Sequence, residues 1–511
     1  MAAARVPLRC LIATIVLLFL LPSAGVLAQS AGALGIFDQQ SDVGKVEQPG
    51  SAQFDAGNST YKITGNGANI WGNADAFHYA YRQVSGDIVL TGEVEFLGQG
   101  KDPHRKACWM IRQSLDADAP YADVAIHGSG LISLQYRKVA GGPTMEVQTP
   151  IVAPVSVRLM RDGNVFSLEI APKGKPFSTV GALSIEMKDP VYAGLVVSSH
   201  NITVSESAVF SNVSLQVKPI VPGQKRVRQT SLEIVPIDSA PRRLVYRATD
   251  YFEAPNWTRD GKLLLINRKG GMYTIPVEGG TPTQLNITGV NRCNNDHGLS
   301  PDGKWLAISH QDKGPSVISI VPSTGGTPRL ITPTGPSYWH GWSPDGTTLA
   351  FCGERNGNFD IYTVPAEGGP ETRLTTAEGL DDGPDYTPDG KFIYFNSERT
   401  GVMKIWRMHP DGTDQEQVTH DEQYADWFAH PSPDGKWLLF LSYDKDVKGH
   451  PENQDVVLRL MPIAGGKTKI VATLFGGQGT INVPCWSPDS SAFAFVSYRL
   501  MLPDSAPAAT H

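Results

Sequence analysis

The chain has 511 residues, with 44 Lys and Arg against 51 Asp and Glu and a formal charge of −7. A mildly acidic protein without basic clusters is a poor match for nucleic acid, which is excluded as a main partner. Its 5 cysteines are widely and irregularly spaced, which fits neither a disulfide framework nor a zinc motif.

The N-terminus reads as a secretory signal over residues 1–28. Arg5 and Arg9 supply the positive region, Leu11 to Leu21 the apolar run, and Val26-Leu27-Ala28 small residues before a cut at Gln29. The expected location is periplasmic or secreted, and an uncleaved anchor is the alternative. A lipid-modified cysteine would have to follow the apolar run, but Cys10 precedes it. No other stretch approaches the roughly 20 apolar residues of a spanning helix, so no membrane span is expected after signal cleavage. Losing Arg5 and Arg9 takes the charge from −7 to −9. Cys108, Cys293, Cys352 and Cys485 then remain, mostly as small buried hydrophobes. One bridge, Cys293 to Cys352, stays open in an oxidising compartment.

Residues 34–218 are strand-like without a repeat. Asp87 to Phe96 and Val155 to Met160 alternate or run apolar between Gly and Asp turns, which predicts two packed antiparallel sheets. Trp71 to Tyr79, Met110 to Ser114 and Leu134 to Arg137 resemble the concanavalin-like jelly-roll modules of secreted carbohydrate-active proteins. That resemblance implies a concave sheet that binds sugars through aromatic faces and planar polar groups. Trp71, Trp109, Arg112 and Tyr136 are the candidates, with Tyr79 and Tyr121 beside them; core packing is the competing account of each. Residues 219–230, with Pro219, Pro222, Gly223 and Lys225-Arg226-Val227-Arg228, read as a solvated linker.

From 231 to 500 a turn recurs six times. It reads Thr258-Arg259-Asp260-Gly261, Ser300-Pro301-Asp302-Gly303, Ser343-Pro344-Asp345-Gly346, Thr387-Pro388-Asp389-Gly390, Ser432-Pro433-Asp434-Gly435 and Ser487-Pro488-Asp489-Ser490, at spacings of 42, 43, 44, 45 and 55 residues. A period in the forties with several short strands per unit signals a β-propeller. An apolar strand follows each turn, as in Trp305-Leu306-Ala307-Ile308, and Trp257, Trp342, Tyr386 and Trp486 precede it, placed to pack between neighbouring units. The last unit stops after Phe493 to Val496, while Leu232 to Pro236 and Arg243 to Tyr246 match the third and fourth strands of the others. The expectation is a six-bladed ring whose last blade is shared by both ends, which pairs the exposed sheet edges. Residues 501–511 would be a flexible tail.

Asn256-Trp257-Thr258 and Pro484-Cys485-Trp486-Ser487-Pro488-Asp489 fit the repeat that the TolB-type WD-like propellers carry, and 231–500 resembles that family. The fold class is therefore read as all-β: a six-bladed β-propeller with an N-terminal concanavalin-like β-sandwich. Related repeats occur in a periplasmic scaffold, in prolyl peptidase propellers and in oligogalacturonate lyases, so the resemblance speaks for fold more than activity. No Gly-x-Ser-x-Gly elbow is present.

The residues ahead of each turn converge on one mouth of such a ring. This nominates Asn295, Asp296, His297, His340, Asp382, Asp426 and His430, with Glu354, Arg355, Glu398 and Arg399 from the loops and Asp444, Asp446, His450 and Glu452 from a longer fifth insertion. His297 and His340 each stand in His-Gly-x-Ser-Pro-Asp-Gly. With Asp382 and His430 they make an N/O set suited to manganese, zinc or calcium. Histidines that merely bond across a wet channel are the competing account. Three functions follow. The first is an exported binding protein, its mouth taking a protein segment or oligosaccharide and its sandwich an extracellular polysaccharide. The second is a metal-assisted polysaccharide lyase or glycosidase, with histidine as base. The third is a scaffold for envelope proteins.

Overall fold

The computed structural model describes residues 34–238 and 241–503. The signal segment and residues 504–511 of the expected tail lie outside them. Among the described residues every regular element is a strand or bridge, and no helix is long and apolar enough to cross a membrane.

The first half contains two antiparallel sheets. One orders Gln39–Val43, Phe77–Val84, Val191–Ser198, Lys106–Arg112, Tyr121–His127, Ile132–Arg137 and Met145–Thr149; the other starts with Ser51–Asp55, Thr60–Gly65, Glu206–Lys218, Asp87–Leu97, Val155–Asp162, Val165–Pro172 and Ser178–Ser184. Strand alternation sends Ala107, Trp109 and Ile111 into one core with Leu90, Leu159, Leu168 and Phe210. It sends Cys108 and Met110 the other way, into a second cluster with Phe77, Tyr79 and Tyr121. Lys106–Arg112 is therefore buried on both faces along its whole length.

The second half repeats one unit. Four four-stranded antiparallel sheets begin at Phe252–Trp257, Cys293–Leu299, Ser337–Trp342 and Asp381–Tyr386. Tyr424–Pro431, Trp437–Asp444, Gln454–Pro462 and Lys469–Gly476 make a fifth group, and Arg243–Ala248, Val227–Pro236 and Ala492–Met501 a three-stranded one. The recurrent turn is held by its own side chains. Ser343 Oγ donates to Asp345 Oδ1 at 2.5 Å and accepts from Thr348 N at 2.9 Å, while Gly346 has φ +72°, a conformation glycine adopts without a Cβ penalty. Ser300, Ser432 and Ser487 bond their aspartates in the same way. Trp342 Nε1 donates to Gly298 O at 3.0 Å and Trp486 Nε1 to His430 O at 2.9 Å, each tying one sheet to its predecessor.

The two ends of this half meet. Val227–Pro236 pairs antiparallel with Ala492–Met501 from Val227↔Met501 to Pro236↔Ala492. That strand begins inside the stretch read as a solvated linker, which corrects the reading. Arg226 binds Asp87 at 2.6 Å and the Leu500 carbonyl at 2.8 Å. Arg228 binds Glu452 at 2.7 Å and lies over the rings of Tyr251 and Tyr498. A guanidinium with a carboxylate and aromatic faces at hand is better held there than in water. Cys293 and Cys352 are free and buried, like Cys108 and Cys485, so the bridge left open is not formed.

The halves are continuous. Ser178–Ser184 meets Lys469–Gly476 in a parallel contact at Gly181↔Thr473, joining the second sheet to the fifth group as eleven strands. Asp455 accepts from Ser184 N at 2.7 Å, Ser184 Oγ at 2.8 Å and Lys138 Nζ at 2.6 Å.

Candidate functional site

The first strand of each repeated sheet breaks its ladder at the same level. The register shifts between Glu253 and Asn256, Cys293 and His297, Trp339 and Gly341, Asp382 and Asp385, and Trp427 and His430. The residues left out of the pairing include Asn294 to Asp296, His340 and Phe428. A bulge re-aims side chains away from strand alternation, and these residues line a cavity of about 440 Å³. Ala254 and Phe428 have φ of +56° and +52° within these breaks. Pro255 and Pro384 also fall inside them. Proline has no N–H to donate and is confined to edge strands and bulges. These first strands are edges of their sheets, and the two prolines mark the irregularity in the sequence without having been singled out.

Around the cavity stand Asn294, Asn295, Asp296, Gln311, Tyr338, His340, Cys352, Phe359, Leu380, Asp382, Phe428, His450, Gln478 and Asn482. His340 Nε2 lies 3.1 Å from Asp382 Oδ1, and its ring stacks on Phe428 at 5.9 Å. Burial opposes the His340 charge, but the charge and hydrogen bond of Asp382, with Asp296 behind it, outweigh burial and push the imidazole up to about 9. Burial likewise favours neutral Asp382, yet the His340 imidazolium holds it below the usual carboxylate range. Asp296 has no hydrogen bond to its carboxylate among the described residues. Burial pushes it up to about 7, against the pull of His340 and with the push of Asp382. The site thus holds a buried ion pair, a carboxyl that titrates near neutrality, several carboxamides and exposed ring edges. Carboxamides present donors and acceptors together, so the lining offers both to the cavity interior. Cys352 is no nucleophile: its thiol donates to Asp381 O at 3.3 Å and burial raises its pKa.

Of the residues nominated from sequence, the structure brings together Asn295, Asp296, His340 and Asp382, and His450 joins them from the insertion. His297 is fully buried and re-enters the ladder opposite Ile308. His430 uses both nitrogens, Nδ1 with Asp385 at 3.0 Å and Nε2 with Ile481 O at 2.7 Å. Asp426 is tied to Ser442 at 2.6 Å and Arg459 at 3.2 Å. Arg355 forks onto Glu371, Arg399 reaches Asp381, and Glu398 accepts from Leu380 N. Glu354 stands beside Arg355 outside the cavity lining. These side chains brace loops. His297, His340, Asp382 and His430 do not assemble around one ion, and among the described residues no group of three or more His, Cys, Asp or Glu is arranged to hold a metal. Tyr338, Phe359, Phe428 and Gln478 line the cavity without having been singled out; they occupy no repeated motif.

The sugar candidates of the first half need correction. Trp109 is core, edge-on to Phe210 at 5.3 Å. Arg112 is fully buried, its Nε on Ser114 O at 2.6 Å and its Nη2 on Asp116 O at 2.5 Å. Tyr79 and Tyr121 are fully buried and Tyr136 nearly so. Two-sided burial of this sheet removes them from solvent. Trp71 alone is open, at 40% exposure, with Lys106 Nζ 5.5 Å from its ring.

Residues 335–463 match the family model of the TolB beta propeller domain. An uncharacterized protein of Agrobacterium fabrum strain C58 is 51% identical over 272 residues, 53% of this chain and 92% of the relative. A solved TolB-like structure from Agrobacterium tumefaciens is 51% identical, covering 54% of this chain and 99% of that one at a TM-score of 0.52. TolB from Acinetobacter baumannii is 16% identical, covering 63% and 79% at a TM-score of 0.40. The repeated half is a β-propeller module. The chain belongs to the TolB β-propeller family, and that kinship lies in its second half.

Proposed function

We propose that this is an exported, periplasmic or secreted binding protein, built as a six-bladed propeller with an N-terminal concanavalin-like sandwich. The mouth cavity takes an oligosaccharide or a protein segment as an uncharged polar chain. The observation that carries this reading is the cavity: carboxamides of Asn294, Asn295, Gln478 and Asn482 and the rings of Tyr338 and Phe359 surround the His340–Asp382 pair. Rings and planar polar groups in one concavity suit binding without covalent chemistry. Membership of the TolB family supports an envelope location and a scaffold role within it. The sandwich's role toward polysaccharide rests on Trp71. The test is calorimetry of the full chain against a panel of oligosaccharides and peptides. Tyr338→Ala and Asn482→Ala are each expected to weaken the ligand found by about tenfold. Unchanged affinities in both would overturn the assignment to this mouth.

A further inference from the structure

The inner strands have a second end. There the recurrent turns close a cavity of about 360 Å³, separate in its lining from the first. Its rim carries one proline from each of five turns: Pro301, Pro344, Pro388, Pro433 and Pro488. Trp257, Trp342, Tyr386 and Trp486 stand behind them. The sixth turn breaks the rule, since Arg259 occupies the proline position.

Arg259 is held in place by its neighbour. Its Nε donates to Ser300 O at 3.1 Å and one Nη to Leu299 O at 2.6 Å. Both acceptors are neutral, and among the described residues the guanidinium has no ion pair and its Nη1 no hydrogen bond. The same turn holds another unused donor. Trp257 Nε1 is buried without a partner, whereas Trp342 and Trp486, at the same place in their repeats, donate to carbonyls. Asp385, the other charged group on the lining, is occupied by His430 at 3.0 Å. One fixed cation with free donor capacity, beside an apolar cavity large enough for a small ligand, selects for a body of apolar groups with one anionic end. A guanidinium fork matches a carboxylate.

We propose that this second mouth is a binding site for a small apolar carboxylate, its acid group on Arg259 and its body among the proline and tryptophan rings. The site does not depend on the function assigned to the first mouth. The probe is N-acetyl-L-phenylalanine, with N-acetyl-L-phenylalaninamide as the control that lacks only the charge. Both are titrated into the full chain, read by calorimetry and by tryptophan fluorescence, since the site's own indoles report occupancy. The acid is expected to saturate and to bind at least about tenfold tighter than the amide, the scale of one hydrogen bond to a charged group. Arg259→Pro restores the residue the other five turns carry, so it keeps the fold, and it brings the ratio of acid to amide to about one. Arg259→Gln, which retains length without charge, does the same. No saturable binding of the acid by the wild type, or an acid preference that survives both substitutions, overturns the proposal.

Discussion

Asp382→Asn tests the electrostatics of the first mouth. Asparagine keeps the shape and the carbonyl oxygen that accepts from Gly383 N at 2.7 Å, so the change removes charge more than packing. In the wild type His340 titrates at about 9 against an ordinary value of 6.5. Each pKa unit is worth about 1.4 kcal/mol, so at full strength the protonation of His340, net of its burial, contributes about 3 kcal/mol. The folded pKa lies above the unfolded one. This stability is therefore fully present below about pH 6.5 and is lost as pH rises through about 9. Removing Asp382 does not incur the larger cost of an unpaired buried charge, because the imidazole can shed its proton. The loss at about pH 6 is then about 3 kcal/mol. It falls to zero as pH rises through about 9 and reverses in favour of the variant above about pH 10, where neutral His340 leaves wild-type Asp382 as an uncompensated buried carboxylate. Urea unfolding of both proteins across this range gives the difference. Histidine NMR gives the titration directly, with His340 expected to fall to 6.5 or below in the variant once burial dominates. A difference that persists undiminished at about pH 10 would mean the pair acts through packing, and a wild-type His340 titrating near 6.5 would refute the ion pair itself.

Other outcomes follow from contacts elsewhere. A Cβ on Gly298 would come within 2.1 Å of the Trp339 ring, which is 1% exposed. Gly298→Ala is therefore expected to cost at least about 1–3 kcal/mol, and an unchanged melting temperature would show that Trp339 yields freely. Asp455→Ala removes three hydrogen bonds between the halves. It should lower stability by about 2 kcal/mol and speed proteolysis near residues 219–226; cleavage kinetics identical to wild type would deny Asp455 a role in the junction. Asp296 has the sign of a raised carboxyl. Its folded value of about 7 against 3.8 means a stability cost that is absent below about pH 3.8 and complete above about pH 7. Asp296→Asn should accordingly stabilise the protein at about pH 8 and leave it nearly unchanged at about pH 4, as measured by thermal melts.

The recurrent turn was legible because its physics is local. Ser343, Asp345, Gly346 and Thr348 bond one another within six residues, so the motif and the structure coincide. The junction of the halves was not legible, since the partners of Arg226 and Asp455 lie 139 and 271 residues away and leave no mark in the local sequence. The site falls between these cases. His297 and His340 stand in the same seven-residue motif, and counting back from the turn makes them equivalent. The ladder makes them different. Trp339 pairs with Phe351 and Gly341 with Ala350, so His340 is itself the residue squeezed out of the pairing. In the preceding sheet the break covers Asn294 to Asp296, and His297 is already paired with Ile308. Moving the bulge by one position exchanges the two faces of a strand. It puts one histidine in the cavity beside Asp382 and seals the other in the wall. In this family of strands the chemistry of the mouth is therefore set by where each ladder breaks. A repeat motif alone cannot convey that, because every repeat carries the turn, yet pairing resumes two residues before it in four sheets and three residues before it in the sheet of His297.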